Sequence, residues 1–278
     1  MEKLFRSPEE ISERFVELGC EKTNYHIVKL FVLSILAGAF IGFAAEGSNA
    51  AIYSIASVGL GKALAGALFA TGLMLVIIAG GELFTGNCLI IISCSERKNG
   101  FLKMLRNWLI VYSGNFIGSM IIVLLIFLSG QLDFSKGMLG AFTIKIAVYK
   151  VHLSFVNAFT MGILCNWLVC LAVWVASAAK DITGKLIAIF FPIWLFITSG
   201  FEHSIANMYY IPIGILAKSN KLWVEAAATM GVTSEKLADL NWGSFVLKNL
   251  IPVTLGNIVG GSLFVGFAYW LAYLYKKK

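Results

Sequence analysis

The sequence predicts an all-α membrane protein of six transmembrane helices, arranged as an inverted 3+3 repeat in which two spans are interrupted. Three observations predict this class: the composition, the length of the apolar runs and an internal repeat. Of the 278 residues, 59% are hydrophobic and 13% are charged, against roughly 45–50% and about 25% in soluble domains. This small number of polar side chains cannot cover the surface of a soluble protein of this size. Much of the chain must therefore be in contact with a lipid bilayer.

Apolar runs of about 20 residues are long enough to cross roughly 30 Å of hydrocarbon. They predict spans at 28–48, 63–93, 107–129, 155–178, 185–217 and 247–274. The second and fifth runs are too long for one straight crossing, and glycine and polar residues interrupt each near its middle. Both are therefore predicted to be broken helices. The connections 130–154 and 218–246 are predicted to be longer loops of mixed charge.

The N-terminal segment has a different pattern. Residues 7–10 supply a hydroxyl cap, a proline in the first turn and a glutamate three positions after the cap, which is a helix-start signal. Ile11, Phe15 and Leu18 then share one face. This pattern predicts an amphipathic helix that lies at the membrane surface.

The two interrupted runs are related by an internal repeat. In each, a glutamate precedes an asparagine by five positions: Glu82 with Asn87 and, 120 residues later, Glu202 with Asn207. Further on, the pattern G-N-x-x-G occurs at 114–118 and again at 256–260. Three spans per half is an odd number, so the two halves must be inverted, unless these short matches arise by chance. Inverted repeats with paired broken helices are typical of channels and transporters.

The distribution of basic residues predicts the orientation. With both termini in the cytoplasm, 14 of the 22 Lys and Arg residues lie on the cytoplasmic side, as the positive-inside rule requires. The net charge of +7 is then explained by membrane-flanking segments rather than by nucleic-acid binding. The predicted organisation is an N-terminal amphipathic cytoplasmic helix at 1–27, a six-span channel domain at 28–275 and a basic cytoplasmic tail at 276–278, in a multi-pass protein of the cell (cytoplasmic) membrane.

Ionisable side chains within spans are costly and are functional candidates. The candidates are Glu46, Glu82, Glu202 and His203. His203 lies in the second break and is able to donate, accept or carry a proton near neutral pH, although a neutral histidine that ties helices together is the alternative. Glu202 and Glu82 are interpreted mainly as hydrogen-bond partners of the unwound backbone.

Other residues near the breaks are suited to line a path for a solute. Thr85, in the first break, offers a hydroxyl and flanking amides. Lys150, before the fourth span, would attract anions at the outer mouth, or would be an ordinary solvated lysine. Bulky apolar side chains at spacings that allow them to face one lumen predict constrictions, with plain packing as the alternative; these are Phe69, Leu73, Leu83, Phe84 and Phe196. No cofactor or metal site is expected, because the five cysteines and three histidines show no ligand spacing.

Several motifs resemble the formate/nitrite transporter family over nearly the whole chain after the N-terminal helix. The strongest reads S-G-F-E-H-S-I-A-N-M at 199–208. The others are E-L-F-T-G-N at 82–87, K-V-H at 150–152, G-I-L-C-N-W-L-V-C at 162–170 and P-V-T-L-G-N at 252–257. Leu153 is a departure, because some formate members carry a second histidine there.

The resemblance implies an aquaporin-like fold, assembled as a homopentamer in membrane lipid, with one pore per subunit. It implies small weak monovalent anions or their acids as substrates, formate above all, with hydrosulfide or nitrite as the alternatives. By position, His203 matches the central histidine, Thr85 the mobile-loop threonine and Lys150 the outer lysine. Asn166 and Asn257 match asparagines that form hydrogen bonds in the pore, and the five apolar positions match its constrictions.

Two mechanisms remain open at the level of the sequence. In one, Lys150 attracts the anion and His203 lends or relays a proton, so that a neutral acid crosses the apolar constriction. In the other, the solute stays anionic and is hydrogen-bonded by Thr85, His203 and the asparagines. A neutral-solute channel is a weaker alternative, because no paired Asn-Pro-Ala motif is present. An enzyme is not expected, because no nucleophile with a base and no ligand cluster is found.

Overall fold

The structure is a computed structural model that describes residues 5–275. The predicted tail at 276–278 and the first four residues of the predicted N-terminal segment lie outside the described residues. The helices are α1 (Pro8–Thr23), α2 (Ile27–Ile52), α3 (Val58–Gly80), α4 (Phe84–Ser95), α5 (Phe101–Leu128), α6 (Phe134–Val151), α7 (Phe155–Ala178), α8 (Ile182–Ser199), α9 (Ser204–Ala217), α10 (Lys221–Thr229), α11 (Ser234–Ala238) and α12 (Trp242–Tyr273). In the described chain, six of these are long and apolar enough to cross a membrane: α2, α3, α5, α7, α8 and α12. The predicted all-α, six-span class is confirmed.

Both predicted breaks are present. The last turn of α3 widens to a π-helix and ends at Gly80, where φ is +94°; an extended segment then leads to α4. In the same way, α8 ends at Ser199 and is capped by Gly200, where φ is +75°, before an extended segment leads to α9. Glycine is needed at both positions because a side chain would be strained at positive φ. Each break therefore follows from a glycine that stops one helix and a short second helix that restarts the chain.

The 130–154 connection contains a helix that the sequence analysis missed. The first residues of α6 form a sharp turn with positive φ at Ser135, Lys136 and Gly137, and the rest of the helix buries Leu139 and Ile144 completely. Its burial is against protein, and its hydropathy is lower than that of the spans, so a search for transmembrane runs overlooks it. The part of the chain predicted as a loop is therefore a packed helix that leads into Lys150.

Helix α1 begins as predicted but packs differently. The Ser7 hydroxyl accepts from the Glu10 amide, and the Glu10 carboxylate accepts from the Ser7 amide, which is a complete capping box. However, Ile11 and Phe15 are buried in the protein, where the Phe15 ring stacks on Trp174 at 5.2 Å. The prediction that this face lies on the membrane surface is wrong, because α7 and its neighbours offer an apolar surface that covers it.

The two halves repeat the same close helix packing. A side chain at Gly118 of α5 would collide with the Ile35 carbonyl of α2, and one at Gly260 of α12 would collide with the Ile163 carbonyl of α7. The glycine pairs spaced by four residues therefore bring helices together inside the subunit. In the repeat, α2 corresponds to α7 and α5 corresponds to α12.

Candidate functional site: two broken spans with lysine–glutamate clusters

The first break is held by a buried polar cluster around Glu82. The Glu82 carboxylate accepts from Lys22 Nζ at 2.8 Å and from the Asn87 side-chain amide at 2.8 Å. The same Asn87 amide donates to Asn107 Oδ1 at 2.9 Å, and the Asn107 amide donates to the Lys22 carbonyl at 3.1 Å. These four residues, the Glu82 cluster, tie α1, the break, α4 and α5 together.

The second break has the same four kinds of hydrogen bond. The Glu202 carboxylate accepts from Lys150 Nζ at 2.8 Å and from the Asn207 amide at 2.6 Å. The Asn207 amide donates to Asn249 Oδ1 at 2.7 Å, and the Asn249 amide donates to the Lys150 carbonyl at 2.9 Å. These four residues form the Glu202 cluster. The inverted repeat therefore includes α1 and α6, whose C-terminal lysines occupy equivalent places.

The bonds of the two lysines differ. Lys22 Nζ also donates to the second Glu82 oxygen at 3.0 Å and to Asn87 Oδ1 at 2.9 Å, whereas Asn207 Oδ1 is buried without a hydrogen-bond partner among the described residues. Lys150 Nζ instead lies 5.2 Å from the centre of the Tyr210 ring. Lys150 is therefore less completely hydrogen-bonded than Lys22, although it is more buried, with a side chain 11% exposed against 26%. A freely solvated loop lysine, the alternative raised from the sequence, does not describe it.

Two further asparagines fasten the extended backbone of the breaks. Asn115 Oδ1 accepts from the Phe84 amide, and its own amide donates to the Glu82 carbonyl at 2.9 Å. Asn257 Oδ1 accepts from the Ser204 amide in the same way, and its amide donates to the Glu202 carbonyl at 3.0 Å. These bonds satisfy backbone groups that a break leaves without helix partners.

The two breaks meet at Thr85 and His203. Thr85 Oγ1 lies 3.0 Å from His203 Nε2, and both side chains are buried. His203 is also the N-cap of α9, where its Nδ1 accepts from the Ala206 amide at 3.0 Å. Because Nδ1 acts as an acceptor, the proton of neutral His203 lies on Nε2 and points at Thr85. A second proton on the ring would require the Ala206 amide to give up its bond.

The sequence-predicted asparagines support this contact from behind. Asn166 donates to the Thr85 carbonyl at 3.2 Å and to the Asn257 carbonyl at 2.6 Å. The Cys170 thiol also donates to the Thr85 carbonyl, at 3.2 Å. Both amide hydrogens of Asn166, like both of Asn257, are therefore engaged with backbone carbonyls rather than directed into open space.

Two of the predicted constriction residues lie beside this contact. Phe69 and Phe196 meet edge to face with ring centres 5.7 Å apart, and Phe196 lies 6.0 Å from the His203 ring. Leu73 and Leu83 are buried and line a cavity. Phe84 is buried too, but its ring packs edge to face on Tyr112 of α5. On the side of Phe196, apolar rings therefore border the polar contact between the breaks.

The cavity opens on the side of the Glu82 cluster. It has a volume of about 540 Å³, and its lining includes Leu73, Leu83 and Glu82. Its wall carries basic side chains, which are Arg6, Arg14, Lys22, Lys29 and Lys185. Lys22 is paired with Glu82, and Arg14 is paired with Glu17 at 2.8 Å. The other three, Arg6, Lys29 and Lys185, give this cavity a positive potential that favours anions.

Three residues of the two clusters were not predicted from the sequence: Lys22, Asn107 and Asn249. A signal for the asparagines was present, because Asn107 and Asn249 are separated by 142 residues, the same offset as the G-N-x-x-G pair. Lys22 and Lys150 are separated by 128 residues, an offset without a longer shared motif. Their equivalence becomes evident only from the hydrogen bonds.

Comparisons with known proteins agree with this architecture. The profile of the family described as "Formate/nitrite transporter" matches residues 9–271. The chain is 38% identical to the formate channel FocA of Escherichia coli (strain K12), over 93% of this chain and 91% of that protein. It is also 38% identical to a probable formate transporter of Methanothermobacter thermautotrophicus, over 97% and 98% of the two chains.

Two solved structures have the same fold. One is described as a pentameric formate channel with formate bound; it is 41% identical, covers 89% of this chain and 98% of its own, and superposes with a TM-score of 0.80. The other is described as an FNT family ion channel, with 28% identity, coverage of 94% and 98%, and a TM-score of 0.78.

Proposed function

This chain belongs to the formate/nitrite transporter family, and we propose that it is a channel for small weak monovalent anions or their conjugate acids, formate above all. The observation that carries this proposal is the meeting of Thr85 and His203 between the two breaks, with a lysine–glutamate cluster on each side. The similarity to proteins named as formate channels and transporters supports formate over hydrosulfide or nitrite.

The charge distribution suits attraction of an anion followed by passage through an apolar region. The basic cavity on the Lys22 side collects anions at one end. At the other end, Lys150 is held beside the path but keeps hydrogen-bonding capacity beyond its single bond to Glu202. Each lysine is paired with a glutamate, so neither binds an anion so tightly that release becomes slow. A channel requires this balance between attraction and release.

Energetic magnitudes favour transfer of the neutral acid through the constriction. An ion of carboxylate size moved into a dry apolar region loses on the order of 20 kcal/mol of solvation in the idealised limit, and several kcal/mol after relaxation. Protonating an acid with a pKa of about 4 at pH 7 costs roughly 4 kcal/mol. Phe69, Phe196 and Leu83 are buried where the solute would pass, so protonation at His203 lowers the barrier more than hydrogen bonds to an anion would.

His203 has a defined part in this scheme. Its Nε2–H donates to Thr85 or to a solute that takes the place of the hydroxyl. Gain of a second proton on Nδ1 breaks the bond from the Ala206 amide, so proton uptake is linked to loosening of the first turn of α9. The anionic alternative needs only the Nε2–H and the Thr85 hydroxyl as donors and no such movement.

The assembly and its placement are part of the same proposal. A homopentamer with one pore per subunit follows from similarity to a channel described as pentameric. The excess of Lys and Arg on the side of α1 supports an orientation with both termini in the cytoplasm, for a protein of the cell membrane. The units are the N-terminal cytoplasmic helix at 1–27, the channel domain at 28–275 and the tail at 276–278. Transport needs no covalent chemistry, no cofactor and no nucleic acid.

The test is flux into proteoliposomes that contain the purified protein. Formate, nitrite and hydrosulfide are compared at equal gradients and several pH values, with a neutral polyol as the control solute. We expect formate to move fastest and the polyol to remain at the rate of empty vesicles. Faster nitrite or hydrosulfide would reassign the substrate within the family, and a polyol rate as high as that of formate would contradict the anion channel.

A further inference from the structure

Three glutamates are buried within the membrane-spanning part of the chain, and one of them lacks a basic partner. Glu82 and Glu202 each bind a lysine ammonium and an asparagine amide. Glu46 of α2 is 3% exposed, and among the residues that the structure describes it joins no ion pair. Its bonding partner is the Tyr209 hydroxyl of α9, which donates to Oε2.

The surroundings of Glu46 are polar but uncharged. Glu46 Oε1 and the Asn49 side-chain nitrogen are both buried without a hydrogen-bond partner. The two residues are three positions apart on α2, so their side chains lie on the same face, with Cβ atoms roughly 5–6 Å apart. The Asn49 amide is therefore a buried donor on the same helix face as the Glu46 carboxyl, and among the described residues neither of these two atoms is hydrogen-bonded.

The titratable side chains beside Glu46 come from helix α9, which supplies Tyr209 and behind it Tyr210. Helix α5 packs on the same face of α2, where Gly42, one turn before Glu46, lies against the apolar Ile122. An ionised carboxylate without a basic partner at this depth would leave a buried negative charge uncompensated. A protonated carboxyl avoids that cost, and its O–H adds a donor beside the Tyr209 hydroxyl.

We propose that Glu46, Asn49 and Tyr209 form a proton-binding site, separate from the Thr85–His203 contact, in which Glu46 is protonated when the protein is at rest. The site lies six residues, or about 9 Å, before the end of α2, on the side of Lys150. Tyr210 lies between them, with its ring 5.2 Å from Lys150 Nζ. Loss of the proton would place a negative charge behind Tyr210 and weaken the pull of Lys150 on anions.

Infrared spectroscopy of the protein in lipid at neutral pH tests this proposal without measuring transport. A protonated carboxyl group has a carbonyl stretch that an ionised one lacks. We expect one such band in the native protein to be lost in Glu46→Gln and shifted in Tyr209→Phe, which removes its hydrogen-bond donor. Glu82→Gln is the matched control, in which the band is expected to persist.

The spectra are compared only for variants that assemble as the native protein does in size-exclusion chromatography. If Glu46→Gln does not assemble, the protonation of Glu46 is tested by the band shift in Tyr209→Phe and by a second shift in Asn49→Leu, which removes the side-chain amide beside Glu46. Identical spectra in the carbonyl region for the native protein and the folded variants would show that Glu46 is ionised and overturn the proposal. Because the readout is spectroscopic, it stands even if the transported anion proves not to be formate.

Discussion

Single side chains at the centre of this protein are oriented by hydrogen bonds to their neighbours. His203 shows this most clearly, because the Ala206 amide occupies Nδ1 and leaves the proton on Nε2, opposite Thr85. The sequence identified both residues from their place in the two broken runs. It did not identify the tautomer, because that depends on where α9 begins and on the 3.0 Å approach of two segments 118 residues apart.

Replacement of His203 by asparagine separates capping from proton transfer. Asparagine is a good N-cap and keeps an acceptor for the Ala206 amide, but it carries no exchangeable charge near neutral pH. We expect formate flux at pH 7 to fall on the order of 10²-fold, the usual contribution of a positioned proton donor. The remaining flux should fall about tenfold for each further pH unit, since it depends on the acid already protonated in solution.

His152→Asn is the matched control for this experiment. His152 is an exposed residue on the Lys150 side, outside the breaks, where it faces Asp239. Its replacement should leave the rate and pH dependence unchanged. Native flux with native pH dependence in His203→Asn would refute the relay and favour the anionic mechanism.

At the scale of helices, the breaks depend on elements that a transmembrane search overlooks. The second-to-last residue of α1 and of α6 is the lysine that pairs with the glutamate of one break. The sequence predicted α1 from its capping box but placed its apolar face on the bilayer, and it predicted a loop in place of α6. Both errors have one cause: the apolar faces are too short to span a membrane, and only tertiary packing decides what covers them.

Docking of α1 should be sensitive to Phe15, whose ring stacks on Trp174 of α7. Truncation of a buried phenylalanine typically costs about 3–5 kcal/mol, and here the cost falls on the contact between α1 and the body of the protein. We expect Phe15→Ala to increase hydrogen exchange of the α1 amides while α7 and α12 stay protected. Mass spectrometry of exchanged peptides measures this.

Val16→Ala serves as the comparison, because its side chain is only half-buried. Its effect on exchange in α1 should be much smaller. Equal exchange in the two variants would mean that packing of Phe15 does not hold α1 in place.

For the whole molecule, the inverted repeat produces two equivalent clusters that differ in burial. The Lys150–Glu202 pair has side chains 11% and 2% exposed, whereas Lys22 is 26% exposed beside the basic cavity. Removing one partner of a buried ion pair costs roughly 3–5 kcal/mol, because the other charge remains buried and unpaired. The two clusters are therefore similar in bonding, but losing one partner is expected to cost more in the Glu202 cluster.

Glu202→Gln and Glu82→Gln form a matched pair for this difference. Both keep the shape of the side chain and its bond to asparagine, and both leave a lysine unpaired. We expect Glu202→Gln to lower the thermal unfolding midpoint more, since water can still reach Lys22 but hardly reaches Lys150. Thermal unfolding in the same lipid or detergent measures the difference, and an equal or larger loss in Glu82→Gln would contradict it.

The sequence by itself determined the membrane class, the two breaks, their inverted relation and the residues that meet at the centre. These properties follow from local patterns: apolar length sets the spans, glycine at positive φ ends a helix, and repeated motifs show the symmetry. Only the tertiary structure decided which lysine pairs with which glutamate, where α1 and α6 pack, and that Glu46 has no basic partner among the described residues. Lys22 and Glu82 are 60 residues apart in the chain and Lys150 and Glu202 are 52 apart, and packing, rather than local pattern, brings them within hydrogen-bonding distance.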